Sequence, residues 1–330
     1  MRKGGVTEAA AEKSKRPRAA VVYHPAKIDL KRLKAAVNLV LEPFDWQSTL
    51  WLPTSAQETG GPQAKRALVM GATHLVVAGG DGTLRQVVQA VHDKPVSIGI
   101  LPVGTGNILA RNLGLPLNSV NTALRRALLG ELRPIDLGKA VMLFSDGKRL
   151  TQIFTALSGV GFDATIMINT NPKLKRRFGW IAYFDAGFKT LPAAFEHLQL
   201  TVDDRAPRKL KVHSVLIGNC GFLPANIKVM PEARLDDGLL DVAAVGPRRF
   251  HNWIALLSRV TIDTRFMHRL PGGTELMRVT RNVKTLENLT GKHIELVTER
   301  PVNIQLDGDP FGKITKVTFD VLPNAMKLRC

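Results

Sequence analysis

Cysteine is nearly absent from this chain. Two in 330 residues exclude a disulfide framework, and with it a small stapled secreted scaffold. Acidic residues are also short: 28 Asp and Glu face 46 Lys and Arg, a formal charge of +18. No apolar run reaches the roughly 18–20 residues that a membrane-spanning helix needs. The eight histidines are scattered with no pair at metal-ligand spacing, so they read as surface or satisfied core residues. There is no internal repeat and no long low-complexity segment. What is present is an ordinary globular balance, 45% hydrophobic and 22% charged, which rules out disorder throughout. Single cores stop growing near roughly 250–300 residues, so two domains are expected. The cationic excess favours an anionic partner, whether nucleic acid, an acidic lipid surface or a phosphorylated substrate; solubility alone is the bland alternative.

The first 18 residues hold six Lys or Arg, two Glu and almost no bulky apolar side chain. They read as a disordered basic tail without the apolar stretch of a signal peptide. Apolar runs at Ala19–Tyr23, His74–Ala78 and Val96–Leu101 predict buried strands. Between and after them lie helical spacings: Leu30, Leu33, Val37 and Val40; Gln63 to Met70, stopped by Gly71; and Leu84, Val87, Val88 and Val91. A further helix closes at Gly114 and Pro116, and another runs to about Leu129. This alternation predicts a parallel α/β sheet over the first ~140 residues. After Asp136, strand-like segments dominate: Ile153–Leu157, His197–Val202, Leu210–Gly218, Leu239–Val245, His293–Val297, Val302–Leu306 and Lys316–Val321. They predict an antiparallel β-sandwich with helical insertions near 174–190 and 248–268.

Two glycine-rich turns each follow an apolar strand and precede a helix: Gly79-Gly80-Asp81-Gly82-Thr83 and Gly104-Thr105-Gly106-Asn107. Ligands of parallel sheets bind beyond the carboxyl ends of strands, where turn amides and a helix N-terminus favour anions. One such turn is an ordinary loop about as often as a site, whereas two on neighbouring strands point to phosphate. Neither turn is a common nucleotide fingerprint. The dinucleotide pattern would need Gly where Leu109 stands, and the phosphate-loop pattern would need Lys where Thr105 stands.

The stretches Val76–Val91 (VVAGGDGTLRQVVQAV) and Ile98–Pro116 (IGILPVGTGNILARNLGLP) resemble the catalytic domain of the diacylglycerol kinase and sphingosine kinase superfamily. The likeness continues through Ile135-Asp136-Leu137-Gly138, Gly159–Asp163, and Lys173-Leu174-Lys175 ahead of Phe178-Gly179 and Ala182-Tyr183. It ends with Pro231–Asp241 (PEARLDDGLLD) and Leu306-Asp307-Gly308-Asp309. Segments in this order span about residues 20 to 312.

The resemblance implies an α/β ATP-binding domain similar to that of NAD kinases at 19–138, with 313–330 as a candidate return to it. It also implies a β-sandwich lipid-substrate domain at 139–312, and ATP with Mg2+ as cofactors. It assigns Gly79, Gly80, Asp81, Gly82 and Thr83 to the ATP phosphates, with Gly104, Thr105, Gly106 and Asn107 completing the cradle. His24, Pro25, Ala26 and Lys27 match a first phosphate loop, Thr54 a nucleotide contact and Lys175 a flanking cation. Asp81 and Asp136 would join a magnesium network. Asp237, with the carbonyls of Arg234 and Leu239, matches a separate magnesium site, where hard oxygen ligands suit the ion. Asp309 stands where the family has the Glu that receives the acceptor's hydroxyl proton.

Three positions depart from the family pattern. His24 replaces the Asn of Asn-Pro, Ile108 replaces an Asp of the metal network, and Asp309 is one methylene shorter than Glu. The expected activity is a lipid kinase, with diacylglycerol as acceptor and phosphatidic acid as product. The alternatives are a sphingoid, ceramide or other lipid kinase, or an inactive nucleotide- or lipid-binding relative. NAD kinase is disfavoured, because an Asn-Asn-Glu motif is missing and the GTGN loop is present. Nucleic-acid binding rests on charge alone and is set aside. The expected setting is cytoplasmic, with peripheral contact to an anionic membrane through the tail and Lys173–Arg177. A homodimer is left open.

Overall fold

The computed structural model describes residues 16–161, 195–224, 227–245 and 289–330. The chain divides into two compact units. The first runs to Leu137 and takes in Pro323–Cys330; the second is Gly138–Leu322.

In the first unit four parallel strands lie in the order β2 (Gln47–Pro53), β1 (Arg18–Tyr23), β3 (His74–Gly79), β4 (Ser97–Pro102). The three inner runs are buried over nearly their whole length, as parallel strands covered on both faces must be. Helix α1 (Leu30–Leu41) begins where the Asp29 carboxylate accepts the Arg32 amide. It buries Leu33, Val37 and Leu41 against Ala19, Val21, Val76 and Ala78. On the same face α5 (Val120–Leu129), capped by Ser119, adds Ala123, Leu124, Ala127 and Leu128. Helices α2 (Gly61–Val69) and α3 (Asp81–Val91) pack together on the other face, and the short α4 (Ile108–Asn112) follows β4.

Two close contacts tie α5 to the sheet. A Cβ on Gly99 would lie 2.1 Å from the Ala127 carbonyl oxygen, so only glycine lets the helix rest there. Beside it, buried His74 bridges β3 and α5. Its Nε2 donates to the Ala127 carbonyl at 2.6 Å, and its Nδ1 accepts from the Ser97 hydroxyl at 2.6 Å.

The second unit is antiparallel. Strands run in the order β14 (Leu289–Gly291), β13 (Leu240–Val245), β10 (Ser214–Gly218), β7 (Leu157–Gly161), β15 (His293–Leu306), β16 (Asp309–Arg329). Strand β15 is shared between layers. Its first half pairs β8 (Glu196–Val202), which carries β9 (Arg208–Val212), and its second half pairs β7. An irregularity between Val297 and Val302 separates the halves, so that one strand pairs different neighbours along its length. Strand β5 (Leu132–Phe144) pairs β6 (Arg149–Phe154) through Gly138–Leu143, and β11 (Phe222–Leu223) pairs β12 (Ile227–Lys228) apart from them. Phe154 and Phe319 meet edge to face at 5.9 Å inside a core of Val, Leu and Ile.

Several expectations change. Leu210–Gly218 is two strands broken at His213, and Ile153–Leu157 straddles the end of β6 and the start of β7. His293–Val297 and Val302–Leu306 are one strand. Strands β2 and β5 were not anticipated. β2 is an edge strand with one buried side chain, Leu50, and β5 contains Pro134 and Gly138, so neither shows an apolar run. Residues 313–322 do not belong to the return, because they pair with β15 in the second unit. The return begins at Pro323 and ends with Lys327–Arg329 in parallel beside β4. The insertions near 174–190 and 248–268 fall outside the described residues.

Candidate active site

The register of the first sheet brings Tyr23, Pro53, Gly79 and Pro102 to one end. The loops beyond these carboxyl ends carry the expected phosphate residues. The two glycine turns touch backbone to backbone: a Cβ on Gly104 would lie 2.5 Å from the Gly80 Cα. A Cβ on Gly79 would lie 2.7 Å from that of Thr83, and one on Gly106 would lie 2.7 Å from Asp81 Oδ2. Each glycine therefore meets a contact that a side chain would prevent.

Asp81 opens α3, where a carboxylate complements the positive end of the helix dipole. Its Oδ1 accepts the Ile108 amide at 2.7 Å, joining the two loops. Ile108 brings no carboxylate of its own, but its main-chain amide holds that of Asp81. Asn107 closes the second turn in the left-handed conformation, at φ 47°. Its Nδ2 donates to the Gly104 carbonyl at 2.7 Å, and its Oδ1 accepts the Gly104 amide at 3.2 Å. The Gly80 cap position offers no side-chain acceptor, so the first amides of α3 have no capping side chain. Thr105 is exposed beside them, and Gly82 and Thr83 are half-buried in the first turn of α3.

The first loop is arranged differently. His24 Nδ1 accepts the Ala26 amide and the His24 carbonyl accepts the Lys27 amide, so both amides are engaged inside the turn. Pro25 and Lys27 are exposed. Thr54 is buried at this end of the sheet and its Oγ1 has no hydrogen-bond partner. Asp136 is fully buried and accepts the Asn324 amide at 2.7 Å, so it anchors the C-terminal return. Two residues of this region escaped the sequence reading. Gln63 is buried and donates to the carbonyls of Pro53 and Glu58, holding the Thr54 loop. Arg85, one helical turn after Asp81, is the one buried Lys or Arg side chain among the described residues. No sequence signal marks either residue, since both sit in ordinary helical patterns.

In the second unit Asp309 follows a two-residue turn between β15 and β16. Asp307 at φ 48° and Gly308 at φ 86° form the Asp-Gly hairpin turn whose twist matches the strands. Asp309 itself is half-buried. Elsewhere in this unit Asp237 Oδ1 accepts the Leu239 amide at 3.1 Å, and Arg234 lies in the same loop. Asp241, also missed in the sequence, is buried with Oδ1 unpartnered. Burial, and then the charges of Asp237 and Glu232, push its carboxyl up to about 6. A buried carboxylate oxygen without a hydrogen-bond partner, near the charges of Asp237 and Glu232, suits a cation. Among the described residues, however, no group of three or more His, Cys, Asp or Glu side chains forms a ready metal cage. Lys175 lies outside the described residues. No described helix is long and apolar enough to cross a membrane.

Known domain families match both halves of the chain. The diacylglycerol kinase catalytic domain matches residues 18–140, and the YegS C-terminal NAD kinase beta sandwich-like domain matches residues 156–330. A Pseudomonas fluorescens protein described as "probable lipid kinase YegS-like" is 30% identical over 82% of this chain and 82% of its own length. A Staphylococcus saprophyticus protein named diacylglycerol kinase is 29% identical over 70% of this chain and 73% of its own. Among solved structures, a diacylglycerol kinase from Bacillus anthracis superposes with TM-score 0.70 at 19% identity, covering 95% of this chain and 96% of that one. An NAD kinase from Archaeoglobus fulgidus superposes with TM-score 0.53 at 14% identity, covering 95% and 93%. These structural likenesses show the fold; the matched domains and the sequence relatives show that the chain belongs to the diacylglycerol kinase and YegS-like family of ATP-dependent lipid kinases.

Proposed function

We propose that this lipid kinase transfers the γ-phosphoryl group of ATP to the free hydroxyl of diacylglycerol, giving phosphatidic acid, and works with magnesium. The observation that carries the reading is the meeting of the two glycine turns at Gly80 and Gly104, with Asp81 joined to the second turn through the Ile108 amide. A backbone cradle at a helix N-terminus binds polyphosphate, and phosphoryl transfer asks little more of a protein than placement and charge.

Gly79 to Thr83 and Gly104 to Asn107 orient the phosphates in this scheme. Thr54 offers an unpartnered hydroxyl at the same end of the sheet. Magnesium is usually held by one or two carboxylates plus substrate phosphates, so Asp81 suffices as the protein ligand without a cage. Asp237 and Asp241 suit a second, structural ion. When bound, magnesium neutralises the charge on the transferring group. Asp309 accepts the acceptor's hydroxyl proton as the new O–P bond forms and the bond to the leaving ADP breaks. The acceptor sits in an anionic membrane, to which the +18 chain is attracted.

The test is γ-labelled ATP with a panel of acceptors in mixed micelles: diacylglycerol, monoacylglycerol, sphingoid base, ceramide and, in solution, NAD. Label in phosphatidic acid supports the proposal. Label in another lipid alone replaces the acceptor, and label in NADP alone removes the lipid reading of this site.

A further inference from the structure

Asp307 is a buried acid that the phosphoryl-transfer scheme above does not use. Its carboxylate accepts four hydrogen bonds. Oδ2 takes the Thr155 amide at 2.7 Å and the Thr155 hydroxyl at 3.0 Å; Oδ1 takes the amides of Ala156 at 2.9 Å and Leu157 at 3.1 Å. In return the Asp307 amide donates to the Leu157 carbonyl at 2.8 Å. Two carboxylate oxygens offer about four acceptor directions, so this acid is saturated by one short segment, the β6–β7 connection. Hairpin tips usually project into solvent, held only by their own turn. This one is bolted to a neighbouring segment about 150 residues earlier in the chain.

Further restraints act on the same turn. The Gly308 amide donates to Gln305 Oε1 at 2.7 Å, and the Ser158 hydroxyl donates to the Gln305 carbonyl at 3.0 Å. Pro310 then restricts Asp309 to extended backbone. All of these converge on Asp309, the residue read above as the proton acceptor. A short side chain has few rotamers with which to search for its proton, so its placement must come from the backbone.

We infer that Asp307, through Thr155, Ala156 and Leu157, is the positioning residue for Asp309. The inference rests on the reading of Asp309 as proton acceptor. Asp307 touches neither nucleotide nor lipid in this role. Its loss therefore reduces kcat and spares ATP binding, which belongs to the first unit.

The experiment measures kcat and KM for ATP with dioleoylglycerol micelles for Asp307→Ala, Thr155→Val, Thr155→Ser and Asp309→Asn. Thermal melts of each variant are recorded alongside. A misplacement of about 1 Å costs roughly 10²-fold in rate. Asp307→Ala is expected to lose about that factor in kcat, with KM for ATP within about twofold of wild type. Thr155→Val loses several-fold and Thr155→Ser, which keeps the hydroxyl, recovers it. Asp309→Asn is inactive. Wild-type kcat in Asp307→Ala beside an inactive Asp309→Asn overturns the inference and leaves the reading of Asp309 intact. Wild-type kcat in Asp309→Asn overturns that reading itself. A parallel rise in KM for ATP in Asp307→Ala assigns general damage and overturns the inference. If Asp307→Ala does not melt cooperatively, the threonine pair decides: equal kcat for Val and Ser overturns it.

Discussion

Asp81 shows how one residue acquires its role from its position. It is the first residue of α3, it sits in the positive field of that helix, and it holds the Ile108 amide across the gap between turns. Replacing it with Ala removes both the carboxylate and the tie. Loss of a preorganised charged group at such a centre typically costs 10²–10³-fold, so Asp81→Ala is expected to lower kcat by about that range. Circular dichroism should remain unchanged, since Asp81 lies outside the core. A variant with more than half of wild-type kcat would contradict the role.

His74 is the counterpart that chemistry does not use. It is buried, and burial lowers its pKa from 6.5 to about 4, against the opposing effect of the Ala127 carbonyl; the Arg329 charge lowers it further. In the unfolded chain it titrates near 6.5. As pH falls through 6.5, the unfolded state gains a proton that the folded state refuses, so stability falls between about pH 6.5 and 4 and is steady above. At about 1.4 kcal/mol per unit the loss reaches roughly 3 kcal/mol. Urea titrations at pH 7 and pH 4.5, on wild type and His74→Gln, read this directly. An equal pH slope in both proteins would contradict it. The sequence showed His74 as one scattered histidine, because its partners Ser97 and Ala127 are 23 and 53 residues away. Asp241 was invisible for a similar reason. Its raised carboxyl depends on burial, which a sequence does not print.

At the scale of elements, the glycine turns were readable because each lies next to an apolar run, so strand, turn and helix are written consecutively. Which glycine does what was not readable. Gly99 and Gly104 look alike in sequence, yet one sits under α5 and the other against the second loop. Gly104→Ala should therefore weaken ATP binding, raising KM at least tenfold with a small change in melting temperature. Gly99→Ala pushes α5 off the sheet, and overpacking of this kind costs about 1–3 kcal/mol. Kinetics and melts of the two variants, side by side, check the assignment; swapped effects would contradict it. The expected elements that failed were those without a local signature. An edge strand such as β2 needs only one buried residue, and β15 is unbroken only because two other strands pair its two halves. Pairing of that kind is set by tertiary context, which overrides local propensity.

At the scale of the whole molecule, the chain's parts belong to the sheet before their own order in sequence. The last residues, Lys327–Arg329, complete the first unit's sheet beside β4, and Asp136 receives the turn that brings them there. The net charge of +18 is the other molecular property. Attraction to an anionic surface is screened over about 10 Å at 0.1 M salt. Activity on vesicles rich in anionic lipid is thus expected to fall as salt rises from about 0.05 to about 0.5 M, while activity on neutral vesicles stays level. Equal activity on both at every salt concentration would return the charge to solubility alone.

The proposed activity gives Asp81 and Asp309 each a part in phosphoryl transfer from ATP to a lipid hydroxyl. Single-turnover formation of labelled phosphatidic acid from γ-labelled ATP and dioleoylglycerol, by wild type, Asp81→Ala and Asp309→Asn at saturating ATP, tests it most directly. The expected result is rapid label transfer by wild type and loss of about 10²-fold or more in both variants. Label transfer by either variant at the wild-type rate, or no labelled lipid from wild type, would contradict the claim.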